Sequence, residues 1–316
     1  MRAWVAALVS LPLFGCTTVL RPLTTTDAAT DLEQVTHTAA NELDPAVSPD
    51  GKSIAYESAS TKDSLPHVEV MALGSAGQPG HLVYSSGDVP GADPAWMPDD
   101  SSIVFVSRTR DARPRLVQTY GQGVRPVFLA DIGDPSFGGT HPAVSPDGKL
   151  VALSLGNLHV LEPGWRTAQL FDHALGVTDT LGSGLKVIER GTDVTYSPDG
   201  KRIAFVQESQ GHEHVFVANA DGSGATQITD GSEDDESPTF SPDGSHVAFC
   251  AVRGVAPAQE ANLFAVRDDG SGLVQLTEGD RMACKPSWSR DGRIYFHANA
   301  RDRFHVYRLR PLLGSP

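Results

Sequence analysis

Asp44-Pro45-Ala46-Val47-Ser48-Pro49-Asp50-Gly51 is the first of six copies of one pattern in this chain. The next two are Asp93-Pro94-Ala95-Trp96-Met97-Pro98-Asp99-Asp100 and His141-Pro142-Ala143-Val144-Ser145-Pro146-Asp147-Gly148. The last three are Asp193-Val194-Thr195-Tyr196-Ser197-Pro198-Asp199-Gly200, Ser237-Pro238-Thr239-Phe240-Ser241-Pro242-Asp243-Gly244 and Lys285-Pro286-Ser287-Trp288-Ser289-Arg290-Asp291-Gly292. Proline fixes φ where the turn begins, aspartate tolerates a left-handed backbone, and glycine takes positive φ without steric cost. Each copy therefore reads as a strand running into a hairpin turn. The strand after each turn is apolar at its centre: Ile54-Ala55-Tyr56, Ile103-Val104-Phe105, Val151-Ala152-Leu153, Ile203-Ala204-Phe205, Val247-Ala248-Phe249 and Ile294-Tyr295-Phe296.

The turn aspartates Asp50, Asp99, Asp147, Asp199, Asp243 and Asp291 stand 49, 48, 52, 44 and 48 residues apart. Four-stranded propeller blades have periods of this length. A third strand reads at His67 to Leu73, Arg115 to Tyr120, Leu158 to Glu162, His214 to Ala218, Asn262 to Arg267 and Phe304 to Leu309. A fourth reads only at His81 to Tyr84, Pro126 to Ala130, Ala168 to Phe171, Ala225 to Thr229 and Leu273 to Thr277, and seven residues follow Leu309. The missing copy is at the other end, where Leu32-Glu33-Gln34-Val35-Thr36 matches Leu273-Val274-Gln275-Leu276-Thr277. An open ring would leave blade edges unpaired. The fold expected is an all-β, six-bladed β-propeller of four-stranded blades over residues 32–316. Residues 32–37 should be the outer strand of the blade that holds residues 285–309.

These Pro-x-aromatic-Ser-Pro-Asp-Gly units resemble the WD-like (Pro-Asp) propeller repeats of the TolB family, over about 280 of the 316 residues. The resemblance implies a periplasmic interaction propeller, here as a lipoprotein variant lacking the α/β domain that precedes the propeller in TolB. Propellers of pectate-oligomer lyases are also similar, and they imply channel histidines that hold a metal.

Ahead of the repeats, Met1-Arg2 is a short basic start, Ala3 to Phe14 is apolar, and Leu13-Phe14-Gly15-Cys16 ends in cysteine. Twelve apolar-rich residues interrupted by Pro12 are too few for a spanning helix, which needs about 20. Residues 1–15 thus read as a lipoprotein signal peptide. Leu13-Phe14-Gly15-Cys16 resembles the bacterial lipobox, which implies a lipidated Cys16 at the chain's mature start. Thr17 stands where an aspartate would, by the same resemblance, retain the protein in the inner membrane, so the periplasmic side of the outer membrane is the expected location. Residues 16–31 complete the reading as the lipidated cysteine and a flexible tether.

Thirty-nine acidic residues against 25 lysines and arginines give a net charge of -14. A field of that sign repels phosphate backbones, so nucleic acid is not an expected ligand, whereas basic proteins, cationic peptides or divalent cations are. Hydrolase signatures such as Gly-x-Ser-x-Gly and His-Glu-x-x-His do not occur in the sequence. Gly222-Ser223-Gly224 and Gly270-Ser271-Gly272 read as turns. His212-Glu213-His214 places two histidines on one face of a strand, and it reads as a surface strand start more than as a metal pair.

The innermost strands of a propeller line its channel, and the residues opening the six repeats, Asp44, Asp93, His141, Asp193, Ser237 and Lys285, form a ring at one mouth. Such a ring can coordinate a cation or hydrogen-bond backbone amides of neighbouring blades. The acidic run Asp230 to Glu236 and a long connection, His173 to Thr192, are expected on the same face. Arg190, Arg281 and Lys285 temper its negative field. Cys250 and Cys284 fall on one face of adjacent blades, a candidate disulfide in an oxidising compartment. Together these readings point to a non-enzymatic envelope scaffold that needs no cofactor and binds a protein or peptide at the channel mouth. A metal-dependent carbohydrate-active enzyme of the oligogalacturonate-lyase type is the rival.

Overall fold

A computed structural model describes residues 21–60, 65–74, 81–85, 90–108, 114–120, 127–131, 141–160, 169–180, 186–254, 259–279, 281–300 and 303–313. Residues 1–20, which hold the expected signal peptide, Cys16 and the start of the expected tether, lie outside the described residues. Every regular element among the described residues is a strand, and six four-stranded antiparallel sheets succeed one another as blades. Blade 1 is Asn41–Val47, Ser53–Ala59, His67–Ala72 and His81–Ser85; blade 2 is Gly91–Trp96, Ile103–Arg108, Pro114–Thr119 and Val127–Asp131. Blade 3 is Ala143–Val144, Leu150–Val160, Gln169–Asp179 and Lys186–Arg190; blade 4 is Thr192–Tyr196, Arg202–Ser209, His212–Asn219 and Thr226–Gln227. Blade 5 is Asp234–Phe240, His246–Arg253, Glu260–Arg267 and Val274–Gln275. Blade 6 is Ala283–Trp288, Ile294–Ala300 and Arg303–Pro311, with Ala29–Gln34 outermost.

The repeated turn is built as its residue types dictate. Ser48 Oγ donates to Asp50 Oδ1 (2.8 Å), the same oxygen accepts the Lys52 amide (2.9 Å), and Gly51 sits at φ 72°. Ser145, Ser197, Ser241 and Ser289 each donate in the same way to the aspartate two residues on. These turns, the ends of the third strands and the starts of the fourth lie on the bottom face of the disc. The starts of the first strands and the ends of the fourth lie on top. Second-strand side chains alternate between two interblade cores: Ala248, Cys250 and Val252 pack towards blade 6, whereas Val247, Phe249 and Ala251 pack towards blade 4. Phe105, Phe205, Phe249 and Phe296 are among the largest fully buried side chains, one per blade in four blades.

Closure by the N-terminal segment is confirmed, with the strand beginning three residues earlier than the sequence suggested. Ala29 pairs with Pro311 and Gln34 with Tyr307. The motif match extends to individual atoms. Gln34, Gln227 and Gln275 each donate Nε2 to the carbonyl of the threonine two residues on, at 2.7 to 2.8 Å. Thr36, Thr229 and Thr277 each accept an amide of the neighbouring third strand, at 2.9 to 3.0 Å.

Two expectations need correction. The tether is shorter than residues 16–31: Thr24–Thr25 pairs with Thr277–Glu278 of blade 5, and Leu23, Ala28 and Ala29 join the core between blades 5 and 6. Apolar residues at 23, 28 and 29 meeting an uncovered blade edge explain the docking. In blade 3, the strand assigned to Leu158 to Glu162 is the continuation of the second strand through Val160. The segment Ala168 to Phe171 overlaps the start of the third strand, and the connection His173 to Thr192 is strand for most of its length. Ala174 and Leu175 are fully buried in two different cores, so this segment packs as a blade strand and cannot extend as a loop.

Cys250 and Cys284 are disulfide-bonded with Cα atoms 5.1 Å apart, inside the range such a bond requires, and the bond ties blade 5 to blade 6. In the chain-entropy model a loop of this length contributes about 3 to 4 kcal/mol. Titrating the unreduced, native protein with a thiol reagent should detect neither cysteine, and reduction should lower the melting temperature. Deleting residues 17–36 should destabilise the whole ring, whereas deleting residues 17–20 should leave thermal unfolding unchanged. Equal melting temperatures for the two truncations would show that the ring does not need its N-terminal strand.

Candidate functional site

All six residues that open the repeats adopt positive φ: Asp44 (47°), Asp93 (52°), His141 (24°), Asp193 (51°), Ser237 (58°) and Lys285 (55°). Non-glycine residues avoid this region, and a residue before proline avoids helical conformations further, so the recurrence records a stored cost at each blade. Strand register slips at the same place in five blades, between Leu43 and Ala46, Ala92 and Ala95, Thr192 and Thr195, Glu236 and Thr239, and Cys284 and Ser287. A bulge re-aims the side chain it carries. The shared positive φ, with the bulge in five blades, turns six polar side chains into the axial channel, a cavity of about 420 Å³ lined by the six first strands.

The six ring residues form a cross-linked layer at the upper end of this cavity. His141 Nδ1 lies 2.6 Å from Asp193 Oδ1, and its Nε2 lies 3.1 Å from Asp93 Oδ1, joining blades 2, 3 and 4. Ser237 of blade 5 donates its amide (3.1 Å) and hydroxyl (3.0 Å) to Asp193 Oδ2. Lys285 of blade 6 crosses the axis to blade 3, bringing Nζ to 2.6 Å from His141 Nε2 and 3.3 Å from Asp193 Oδ2. An imidazolium has no lone pair for an ammonium, so His141 cannot be charged and also accept from Lys285. The two bracketing carboxylates decide the matter in favour of the charged imidazole. Lys285 is therefore held in a like-charge contact by Asp193, which both cations share.

Protonation follows from this geometry. Burial opposes a charged His141, but Asp193 and Asp93 outweigh it and raise its pKa to about 10. Burial likewise opposes ionisation of Asp93, yet His141 brings it down to about 2, and Asp193 is held well below the carboxylate range against the same penalty. Asp44 is raised by burial, with Lys285 pulling the other way.

Several contributors were missed in the sequence. Ser154 Oγ accepts the Asp193 amide (2.9 Å), and His297 Nδ1 accepts the Asp44 amide (3.2 Å). Both side chains stand one residue after the central aromatic or aliphatic side chain of a second strand, so blades 3 and 6 each support the strained residue of the next blade. Burial, and secondarily Lys285, lowers His297 to about 3 and keeps it neutral as that acceptor requires. The acidic run is largely paired: Glu233 with Arg253 (2.5 Å), Asp234 with His212 (3.2 Å) and Asp235 with His214 (3.3 Å). His212 and His214 are thus spent on separate carboxylates. Glu236 and Glu213 remain above the ring, near enough that Asp193 adds to the burial that raises both, Glu236 to about 6. Glu236 also comes within 4.8 Å of Cys250 and Cys284, but their bond leaves neither sulfur as a thiolate ligand.

Six first strands, five of them bulged, surround an axial polar layer with the Pro-Asp turns below. Residues 190–312 match the family described as the TolB beta propeller domain. Over these residues the propeller is similar to that family. A candidate TolB from Agrobacterium tumefaciens superposes with a TM-score of 0.64 at 18% identity, covering 93% of this chain and 99% of that one. An oligogalacturonate lyase from Vibrio parahaemolyticus superposes with a TM-score of 0.56 at 11% identity, covering 92% and 97%. These likenesses show the fold alone. In sequence, the uncharacterized peptidase YuxL of Bacillus subtilis (strain 168) is 30% identical over 235 residues, which is 73% of this chain and 32% of the relative. The chain thus spans about a third of the length of that curated relative.

Because the folded His141 pKa lies above its ordinary value of 6.5, the folded state holds the proton more tightly than the unfolded one. The stability it contributes is complete below pH 6.5 and is lost as pH rises towards about 10. Urea denaturation across that window should show wild-type stability falling with pH. His141→Gln should be less stable at pH 6.5 and lack that part of the slope, and parallel curves for the two proteins would refute the charged imidazole.

Proposed function

We propose that this chain is a non-catalytic envelope lipoprotein, lipidated at Cys16 and placed at the periplasmic face of the outer membrane. Its top channel mouth binds a protein or peptide that carries a basic side chain. The observation that carries the reading is the Lys285 ammonium on the axis, with the His141 imidazolium beside it. The carboxylates that would attract a metal already share cations supplied by the chain itself. Above this neutralised layer stand the carboxylates of Glu236 and Glu213, while the cavity walled by Trp96, Tyr196, Phe240 and Trp288 lies below it, towards the turn face. The upper surface suits a side chain that brings its own positive charge. A fit to a metal-dependent lyase site is poorer, because one histidine in the ring is already committed to two carboxylates.

The reading is tested with the purified mature protein as bait in a cross-linking pull-down from envelopes, followed by affinity measurements on the recovered partner. Association should slow as ionic strength rises. Glu236→Gln with Glu213→Gln should weaken binding by about tenfold, as the loss of two charge contacts implies, while the melting temperature changes little. Since Glu236 titrates near 6, affinity should also fall between pH 7 and pH 5 as that carboxylate gains its proton. Mn²⁺ or Ca²⁺ binding that displaces nothing in the wild type but is abolished by Asp193→Asn would favour the lyase-type reading instead.

A further inference from the structure

The N-terminal segment leaves the propeller at a fixed point on its top face. Thr24 pairs with Glu278 and Thr25 with Thr277, so the incoming chain runs antiparallel to the outer edge of blade 5, from top to bottom. Thr26 continues the contact, its amide donating to the Leu276 carbonyl (3.1 Å) and its hydroxyl to the Gln275 carbonyl (2.5 Å). The chain turns at the bottom, where the Leu312 amide donates to the Ala28 carbonyl (2.7 Å), and returns upward as the closing strand of blade 6. Upstream of Thr24, the backbone of Pro22 and Leu23 lies against Gly279, the residue after the blade-5 edge. A Cβ there would come within 2.6 Å of the Pro22 carbonyl oxygen, and Gly279 also has φ +136°. The segment is therefore seated in a place that only glycine leaves open.

This seating changes what an anchor at Cys16 does. Had the tether run to residue 31, its 15 residues could have extended about 50 Å, more than the thickness of the disc. With residues 22 to 29 docked, five residues separate Cys16 from the exit point, and the six Cα steps across them span about 20 Å when extended. Strands of eight residues in blade 5 make the disc about 26 Å deep between its faces.

We infer that the protein is an oriented lipoprotein: docking of residues 22–29 along blade 5 holds the top rim of blades 5 and 6, and with it the acidic channel mouth, next to the lipid surface. The bottom turn face points away. The inference rests on the lipidation of Cys16 and adds an orientation to it. A basic partner of the top mouth would then have to reach it from the membrane side, as an anchored chain or one lying at the leaflet. The docked segment serves as a rigid bracket between the acyl chains and the disc.

The test reconstitutes the lipidated full chain on vesicles that contain an acceptor-labelled lipid. A donor dye is placed at Ser232→Cys on the top face or at Ser271→Cys on the bottom face of blade 5, both exposed. Energy transfer should be several-fold higher from position 232 than from 271. Inserting 20 Gly/Ser residues after Val19 keeps the bracket but lengthens the tether, and it should erase most of the difference. Gly279→Val should do the same by displacing residues 22–24. Equal transfer from the two positions on vesicle-bound wild type overturns the orientation while leaving lipidation intact. Failure of the wild type to take up radiolabelled fatty acid and to bind vesicles overturns the anchor. A difference that survives the long linker shows that direct surface attraction, and not the bracket, sets the pose.

Discussion

The hydrogen bond from the Val306 amide to Thr36 Oγ1 joins the two ends of the folded chain, 270 residues apart. A propeller blade packs only against its two neighbours, so a gap anywhere in the circle exposes two apolar faces and an unpaired edge. In this chain the gap would fall in blade 6. Its third strand ends at Pro311, and the edge is completed by Ala29–Gln34 from the opposite end of the sequence. The same Gln-x-Thr device appears inside blades 4 and 5, where both partners are local in sequence. Blade 6 uses it across the seam, which gives the closing strand the register of an ordinary fourth strand.

Closure sets the conditions for the axis. Six first strands brought into a circle place six side chains within reach of one another only if each backbone turns at the same height, and the six positive φ values record that. The cost of those backbones, about 1 to 3 kcal/mol each, is opposed by the contacts they permit. Asp193 alone receives His141, Ser237 and Lys285 from three other blades. A network of this kind is weak evidence for net stability, since removing ions from water is costly. Its clearer consequence is geometric: it fixes the channel at its upper end, so a ligand entering from above meets a closed, nearly neutral layer with Glu236 and Glu213 as its free carboxylates.

The fold was legible because its signals are periodic and local. Pro-Asp-Gly chemistry announces each turn, and a period near 48 residues announces blades without reference to any contact. Blade 3 was misread because its own signal was overlooked. Gly182-Ser183-Gly184 repeats the Gly-Ser-Gly of 222–224 and 270–272, and the strands ending at Asp179 and starting at Lys186 bracket it as third and fourth. Reading it as a turn would have removed the supposed long loop at once. The ring residues were legible as a set for the same periodic reason, but their pairing was not. Which blade Lys285 reaches depends on a side chain crossing the axis, and no local pattern encodes that.

The docked segment shows the same limit from the other direction. Residues 22 to 29 have no period, and composition alone places them with the tether. Their order comes from the surface they meet, namely the blade-5 edge at Thr277–Glu278 and the bare backbone of Gly279, which are 250 residues distant. A glycine that reads as an ordinary end-of-strand residue is, in three dimensions, the notch that receives the chain's beginning. Sequence reasoning assigns roles to segments by what they contain. Here the decisive property belongs to the partner surface, so which of these residues belong to the folded body becomes visible only once the ring is closed.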